Sequence, residues 1–584
     1  MKLPLPRISL RWLAHFCALL LCLGMLSACS SLPPLPARAD SHAWAMPQST
    51  PLGQMIAAQR QAARTPYSTG FTLLGGAQAA FSSRLALIEA ATQTLDLQYY
   101  AIHADASTAQ LLQALVQAAQ RGVRVRVLLD DFHGAGKNAQ VMRLAFVPGV
   151  EMRMFNPLTG PRGSTALRAV STLLDFQRAQ QRMHNKLFIA DNAVGITGGR
   201  NLGDAYFDAL DSNNFIDLDV MAAGTTVQQL SSSFDRYWND TRAYPVEALV
   251  SQAQLLAMRP SEQTASKEEA STVSANPETS KANNPTAEWK AMDLGHVPWI
   301  WAPSLVLVDA PSKIPAPAED GIPLSAEPED AVATALHPAI TAPTTSDHKA
   351  NSSNRQALQQ VLAPVAAQDN VVNGLIALLE QARSDVLIIS PYFVPGDDMK
   401  NAFARATARG VRIRVLTNSL ASNDAPLAHA GYARHRQALL QEGVQLFELR
   451  SVQDGEAANN TLRQSAGNIT GSQGTSRAML HSKMLVLDHK LTVIGSMNLD
   501  MRSQLQNTEI ALLIASRQLA QAATENIEAN LDASAWHVID TADGLVWQPP
   551  AGKDWGTQTR EPDASLPLRW MIRVIGPLAP DHLL

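Results

Sequence analysis

Apolar and polar positions along this chain follow two periods, about 3.6 and 2, and the same order of periods is read twice. In the first half, GFTLLG at 70–75 reads as a strand, helical spacing follows over 77–92, and LDLQYY at 95–100 alternates as a strand does. A second helical run over 108–121 closes at Gly122, and VRVRVLL at 123–129 gives a third strand. Strand, helix, strand, helix, strand in this order predicts an α/β sandwich.

The second half repeats the series. APSLVLV at 302–308 answers the first strand, 374–383 the first helix, DVLIIS at 385–390 the LDLQYY strand, and 399–409 the second helix. RGVRIRVLTNS at 409–419 restates RGVRVRVLLDD at 121–131, and GVQLF at 443–447 answers GVEMRM at 149–154. A duplication with so long a period is not a solenoid. Two such halves can pack face to face about a pseudo-two-fold axis.

Between the halves the pattern disappears. Residues 260–295 and 312–355 are rich in Ser, Thr, Ala, Pro and Glu, which bury too little apolar surface to offset chain entropy. They read as mobile inserts around a short ordered piece, 297–308. A similar patch at 451–475 reads as a loop over the mouth of the site. Residues 29–66, rich in Pro, Ala and polar side chains, read as a flexible tether. The expected domains are therefore 67–250 and 296–584.

Each half ends its series in one motif. RMHNKLFIADNAVGITGGRNLGD at 182–204 and MLHSKMLVLDHKLTVIGSMNLD at 479–500 both read His-x-Lys-x4-Asp, then an apolar run, then Gly-[Gly/Ser]-x-Asn. On a strand, His184 and Lys186 share one face, as do His481 and Lys483. Asp191-Asn192 and Asp488-His489-Lys490 look like hairpin turns. Asp191 and Asp488 are expected to be structural, bonding turn backbone. The returning strands end at glycines, where backbone can approach an anion closely.

Two imidazoles, two ammoniums and two amides suit a phosphodiester. One neutral imidazole attacks phosphorus, and the second protonates the leaving alkoxide and later deprotonates the incoming alcohol. Lys186, Lys483, Asn201 and Asn498 hold the non-bridging oxygens as charge builds up on them. This chemistry needs no metal and no cofactor. The competing reading, His-x-Lys on an exposed strand face, is plausible for one copy and poor for two copies with matching endings. Each working imidazole needs an acceptor for its other nitrogen. A carboxylate-bearing strand follows each motif, FIDLDV at 215–220 and NTEIAL at 507–512, so Asp217 and Glu509 are candidates. Asp219 shares the face of Asp217 and competes with it.

Of the 584 residues 46% are hydrophobic and 17% charged, as in a globular protein with a sizeable core, and the formal net charge is −5. That balance argues against a bulk nucleic-acid partner. Lys2, Arg7 and Arg11 precede a short apolar run over 12–25, and Leu26-Ser27-Ala28-Cys29 resembles a lipobox. Residues 1–28 are thus expected to be a signal peptide and Cys29 the lipidation site. The only other cysteines, Cys17 and Cys22, would leave with that peptide, so no disulfide framework is expected. An uncleaved membrane anchor is the alternative, although the apolar run is short for a span.

The doubled motif resembles the phospholipase D superfamily. The likeness implies two α/β sandwich domains packed with pseudo-two-fold symmetry and a catalytic cleft at their interface. It also implies that the first-motif histidine, His184, is the nucleophile, that His481 is the general acid and base, and that Asp217 and Glu509 orient the imidazoles. Beyond the motifs, DLDVMAAG at 217–224, SPYFVP at 390–395, LTNSLASND at 416–424, HAGYARHR at 429–436 and GSMNLDMRSQLQNTE at 495–509 resemble bacterial cardiolipin synthases of the C-type branch.

That resemblance implies phosphatidyl transfer. A phosphatidyl group from phosphatidylglycerol or phosphatidylethanolamine would pass through a phosphohistidine to a second phosphatidylglycerol. Membrane phospholipids would be the partners. Tyr100 and Tyr392, ending equivalent strands, are candidates for the cleft mouth, and His429, Tyr432 and Arg434 for an acceptor pocket. The segment 566–575 (LPLRWMIRVI) mixes Arg with Trp, Met and Ile as interfacial segments do. The lipobox, followed by Ser30, implies a lipoprotein facing the periplasm, with the outer membrane favoured over the inner. A phospholipase or nucleic-acid phosphodiesterase of the same superfamily and a catalytically idle lipid-binding lipoprotein are the competing functions.

Overall fold

The computed structural model describes residues 32–207, 214–258, 289–315, 362–451 and 478–584. The signal peptide, Cys29, and the inserts over 260–288, 316–355 and 452–475 lie outside the described residues.

Two mixed sheets carry the molecule, each with nine strands among the described residues. In the first, Thr94–Tyr99, Arg124–Asp130 and Val150–Phe155 run parallel. Beside them lie the hairpin Leu187–Ala190 and Val194–Gly198, then Leu218–Gly224, Thr69–Gly75 and Ile300–Trp301, all antiparallel. The second sheet repeats this order. Asp385–Ile389, Arg412–Asn418 and Gln445–Leu449 form its parallel centre. Met484–Leu487, Leu491–Gly495, Ile510–Ala515 and Ser304–Val308 continue antiparallel. The parallel strands are largely buried on both faces, one of them apolar and the other carrying Asp96, Gln98, Arg126 and Arg153 in the first sheet and Asp385, Arg414 and Asn418 in the second.

Each sheet packs its own helices on its outer face. Ala77–Ala90 and Ala106–Gln120 cover the first, and Val371–Leu379 and Asp397–Ala408 the second. A third core joins the halves. Phe71, Leu187 and Val220 of one sheet meet Ile389, Val486 and Leu512 of the other there, with the helices Thr225–Asn239 and Arg517–Ser534. The arginines repeated in the duplicated strand are buried equivalently. Arg126 pairs with Asp96 and Asp235, and Arg414 with Asp385 and Glu528.

Four expectations change. The tether over 29–66 contains the helix Pro51–Ala62, capped by the Thr50 hydroxyl, with Leu52 and Ile56 buried in the first core. Those two residues are one helical turn apart and share a face. The expected boundary at 296 also moves. Trp289, Val297 and Trp299 pack on the first core and Ile300–Trp301 joins the first sheet, so the crossing to the second half falls between Trp301 and Ser304. The strand expected over 215–220 is split at Asp217 into Asn214–Ile216 and Leu218–Gly224. Finally, neither His-x-Lys is inside a strand. His184 to Lys186 precede Leu187–Ala190, and His481 to Lys483 separate Ala478–Leu480 from Met484–Leu487.

Asp191-Asn192 and Asp488-His489 form the two hairpin turns, with φ of 52° and 52° in the first and 51° and 52° in the second. The registers Ala190↔Val194 and Leu487↔Leu491 leave three residues in each loop, the first two of them left-handed, a conformation that Asp and Asn tolerate. Each turn aspartate bonds the backbone that leads into the neighbouring parallel strand. Asp191 accepts from the amides of Thr92, Gln93 and Thr94 at 2.7–3.2 Å. Asp488 accepts from Arg383, Ser384 and Asp385 at 2.8–3.2 Å. Both carboxylates thus fix a different segment from the turn backbone expected of them.

Candidate active site

Each motif leaves its own half and touches the other. The Ala478–Leu480 strand pairs in parallel with Asn214–Ile216 of the first half, and the His481 amide donates to Ile216 O at 2.8 Å. In mirror fashion, Met183 bridges Thr508 of the second half, and the His184 amide donates to Thr508 O at 2.9 Å. The His-x-Lys step is irregular because it passes between two pairing partners. The carboxylates sit at the matching break in the opposite half.

The consequence is an exchange of carboxylates. His184 Nδ1 lies 2.9 and 3.1 Å from the two oxygens of Glu509, and His481 Nδ1 lies 2.6 Å from Asp217. An ionised carboxylate only accepts, so each Nδ1 carries the proton and each Nε2 is left with a lone pair. Asp219, the competitor, is instead paired with Arg84 at 2.8 Å and Arg200 at 3.3 Å. Glu509 is further held by hydroxyl donors, Ser503 at 2.9 Å and Ser496. The first-motif glycine completes the closure. A Cβ on Gly199 would stand 2.6 Å from Asp217 Oδ1 and 3.0 Å from the His481 carbonyl.

Both lysines curl back, Lys186 Nζ donating to His184 O at 2.7 Å and Lys483 Nζ to His481 O at 2.6 Å. They share one field. Burial, together with the nearby Lys483 charge, outweighs the opposing pull of Glu509 and lowers Lys186 to about 7. Burial also lowers Lys483. Burial and the two ammoniums hold His184 well below the usual histidine value. His481 falls to about 4 through burial and Lys483, against the opposing pull of Asp217. The carboxylates diverge. Burial lifts Glu509 to about 7, whereas at Asp217 His481 and Lys483 overcome burial and hold it at about 2. Asn201 accepts from the Ala101 amide at 3.3 Å and donates to the Tyr206 hydroxyl at 3.0 Å. The buried Asn498 Oδ1 has no hydrogen-bond partner among the described residues.

A family model described as "Cardiolipin synthase, PLD-like domain" matches residues 85–238 and 375–531. Cardiolipin synthase C of Escherichia coli K12 is 34% identical over 510 residues, covering 86% of this chain and 94% of that one. The chain belongs to the cardiolipin synthase, PLD-like family. Cardiolipin synthase A of Pseudomonas entomophila is a more distant relative, 24% identical across 79% of this chain and 68% of its own length. The crystal structure of phosphatidylserine synthase from Haemophilus influenzae aligns at a TM-score of 0.49 with 12% identity, covering 90% of this chain and all of that one. The protein is thus a phosphatidyltransferase of the phospholipase D superfamily.

Around the dyads of this cardiolipin synthase-family enzyme the walls are aromatic. Tyr100 stands edge-on to His184 with ring centres 5.1 Å apart. Tyr206 and Phe215 flank His481 at 5.3 and 5.0 Å. Tyr392, which follows the equivalent strand of the second half, donates its hydroxyl to Asp424 at 2.8 Å. Sequence reasoning missed Tyr206, Phe215, Ser496, Ser503 and Asp424. Only Ser496 left a signal, standing where the first motif has Gly199; the others reach the site through folding alone.

Three predicted residues are engaged elsewhere. His429 is buried against Arg436 at 2.8 Å and Glu561 at 3.4 Å. Tyr432 donates to Glu448 at 3.2 Å. Arg434 binds the carbonyls of Gly576 and Ala579 and the Asp581 carboxylate. Instead of lining an acceptor pocket, this helix face is occupied by the C-terminal segment and a neighbouring strand.

Proposed function

We propose that this enzyme makes cardiolipin, passing the phosphatidyl group of phosphatidylglycerol or phosphatidylethanolamine through His184 to the glycerol hydroxyl of a second phosphatidylglycerol. The observation that supports it is the pair of crossed dyads, His184–Glu509 and His481–Asp217, around two buried ammoniums.

In the first step His184 Nε2 forms a bond to phosphorus and the bond to the departing glycerol or ethanolamine oxygen breaks. His481 is held at about 4 in the empty site; the phosphodiester anion in the filled cleft favours its doubly protonated form, which gives its Nε2 proton to that oxygen. Lys186, Lys483 and the asparagine amides hold the non-bridging oxygens. In the second step the glycerol hydroxyl of the acceptor lipid loses its proton to His481 Nε2 and attacks phosphorus, and the phosphorus–nitrogen bond breaks. The assignment of roles follows the electrostatic asymmetry. Asp217 is held ionised and opposes the burial that lowers His481, so a proton taken up by His481 finds an anionic partner at Nδ1, whereas burial and both ammoniums hold His184 unprotonated, as a nucleophile must be. Aromatic walls keep the lipid hydroxyl close and water scarce, an effective-concentration advantage for transfer over hydrolysis.

Phosphatidylglycerol labelled in its phosphate, supplied alone and then with phosphatidylethanolamine, tests the reading. Label is expected in cardiolipin. Label confined to phosphatidic acid would leave a phospholipase in its place. The lipobox supports lipidation at Cys29 and a periplasm-facing site, with the outer membrane favoured. Loss of lipid labelling in Cys29→Ala is the expected result, and retained labelling would reject that placement.

A further inference from the structure

Among the described residues sixteen large apolar side chains are exposed, and ten of them belong to two short segments. Single exposed apolar residues need no explanation, whereas concentrated ones mark a contact surface. On the helix Thr165–Leu174, Leu167, Val170 and Leu174 form one stripe, with Leu173 beside it at 71% exposure. On the helix Leu566–Ile575, Leu566, Trp570 and Val574 do the same, and Trp570 is 70% exposed.

The two helices are unrelated in sequence but occupy related places. Arg168 ties the first to Asp131, at 2.7 Å, in the loop that follows the strand Arg124–Asp130. In that loop the half-exposed Phe132 stacks on Tyr100, which touches His184. Leu568 and Ile572 pack the second helix on Leu420 and Ala421, in the loop that follows the equivalent strand Arg412–Asn418. That loop carries Asp424, the partner of Tyr392. One apolar helix therefore stands on each side of the cleft mouth. The second helix adds cationic charge, Arg569 and the exposed Arg573, while Arg168 of the first is buried on Asp131, and neither helix holds a carboxylate. Neither helix is long and apolar enough to cross a membrane. Cationic charge with an apolar stripe is the composition of helices that lie in the plane of an anionic bilayer surface.

We propose that these helices seat the cleft mouth on an anionic phospholipid bilayer, so that donor and acceptor lipids enter from the membrane plane. The substrate side of this proposal rests on the phospholipid reading above; the docking itself does not.

An environment-sensitive fluorophore tests it, attached in the full chain to Leu173→Cys, Trp570→Cys or, as a control, Leu256→Cys, with Cys17, Cys22 and Cys29 replaced by Ser. With phosphatidylglycerol-containing vesicles the first two labels are expected to shift to the blue and be quenched by lipid-borne spin labels, while the control stays in water. Labels that stay in water while the chain sediments with vesicles would overturn the proposal. So would a concentration-dependent shift without lipid, which means that a second copy covers the helices. The combined variant Leu173→Glu, Trp570→Glu is expected to lose at least about tenfold in kcat/KM on bilayer phosphatidylglycerol and little on monomeric short-chain phosphatidylglycerol, because charge replaces two inserted side chains. An equal loss on both substrates would also overturn it. A chain whose labels dock but which forms no cardiolipin refutes only the function proposed above.

Discussion

Glu509 accepts the Nδ1 proton of His184 across 325 residues of chain, while the carboxylate of the first half, Asp217, serves His481 in the second. Each half supplies the imidazole of one dyad and the carboxylate of the other. Asp217→Asn and Glu509→Gln are expected to leave the fold intact and lower kcat about 10²–10⁴-fold, because the amide no longer fixes the tautomer or stabilises the imidazolium. Since the dyads act as a unit, adding Glu509→Gln to His184→Ala should cost little further. Multiplicative losses in rapid-quench measurements would speak against the pairing.

The two lysines predict a pH dependence of anion binding. Lys186 is held at about 7 in the empty site, so its charge is lost as pH rises through that value. A bound anion favours the ammonium, and above pH 7 binding must take up a proton. Sulfate, which does not titrate in this range, should therefore inhibit well below pH 7. Its inhibition constant should then weaken by up to about tenfold per pH unit above 7, as linkage to one proton requires. A flat profile from pH 6 to 9 would remove Lys186 from the anion site.

Gly199 is expected to tolerate no side chain. A methyl group there meets Asp217 Oδ1 at 2.6 Å and the His481 carbonyl at 3.0 Å, and neither is the free end of a flexible chain. Gly199→Ala should separate the second dyad and lower kcat at least about tenfold, since displacements of this size at a reacting group cost that much or more. The melting temperature should change far less than the activity.

Asp191 predicts the opposite signature. Its carboxylate holds three successive amides at the entrance to a buried strand and takes no part in the cleft. Asp191→Ala leaves those donors unsatisfied and should destabilise the protein by about 2–4 kcal/mol in urea titrations. Activity per folded molecule should stay near that of the parent. The half-exposed Asp488 should show a smaller effect of the same kind, because water can replace it.

Much of this was legible because duplication gives every expectation a second instance. The repeated RGVR[VI]RVL strand, the His-x-Lys pair and the turn aspartates all appear in equivalent places in both sheets. The exchange of carboxylates was not legible. The downstream position of Glu509 is the same whether it serves the histidine of its own half or the other, and only the pairing of Thr508 with Met183 decides. His429 and Arg434 misled for a related reason: their partners Glu561 and Asp581, the latter 147 residues away, lie in a segment without a repeated pattern to mark it, while Tyr432 turns to Glu448 in the strand that follows its own helix. The helix Pro51–Ala62 did carry a signal, a Thr50 cap followed by Pro51, which the surrounding Pro and Ala content obscured.

The crossed dyads also bear on how such a chain can change through time. A fragment ending before residue 259 would keep His184 but lose the Glu509 that orients it, and the complementary fragment would keep His481 without Asp217. Neither piece holds a complete dyad on its own, so each half can work only in association with a second one. The same crossing leaves one route open: two chains, each damaged in a different half, can restore one intact dyad pair if their sound halves associate.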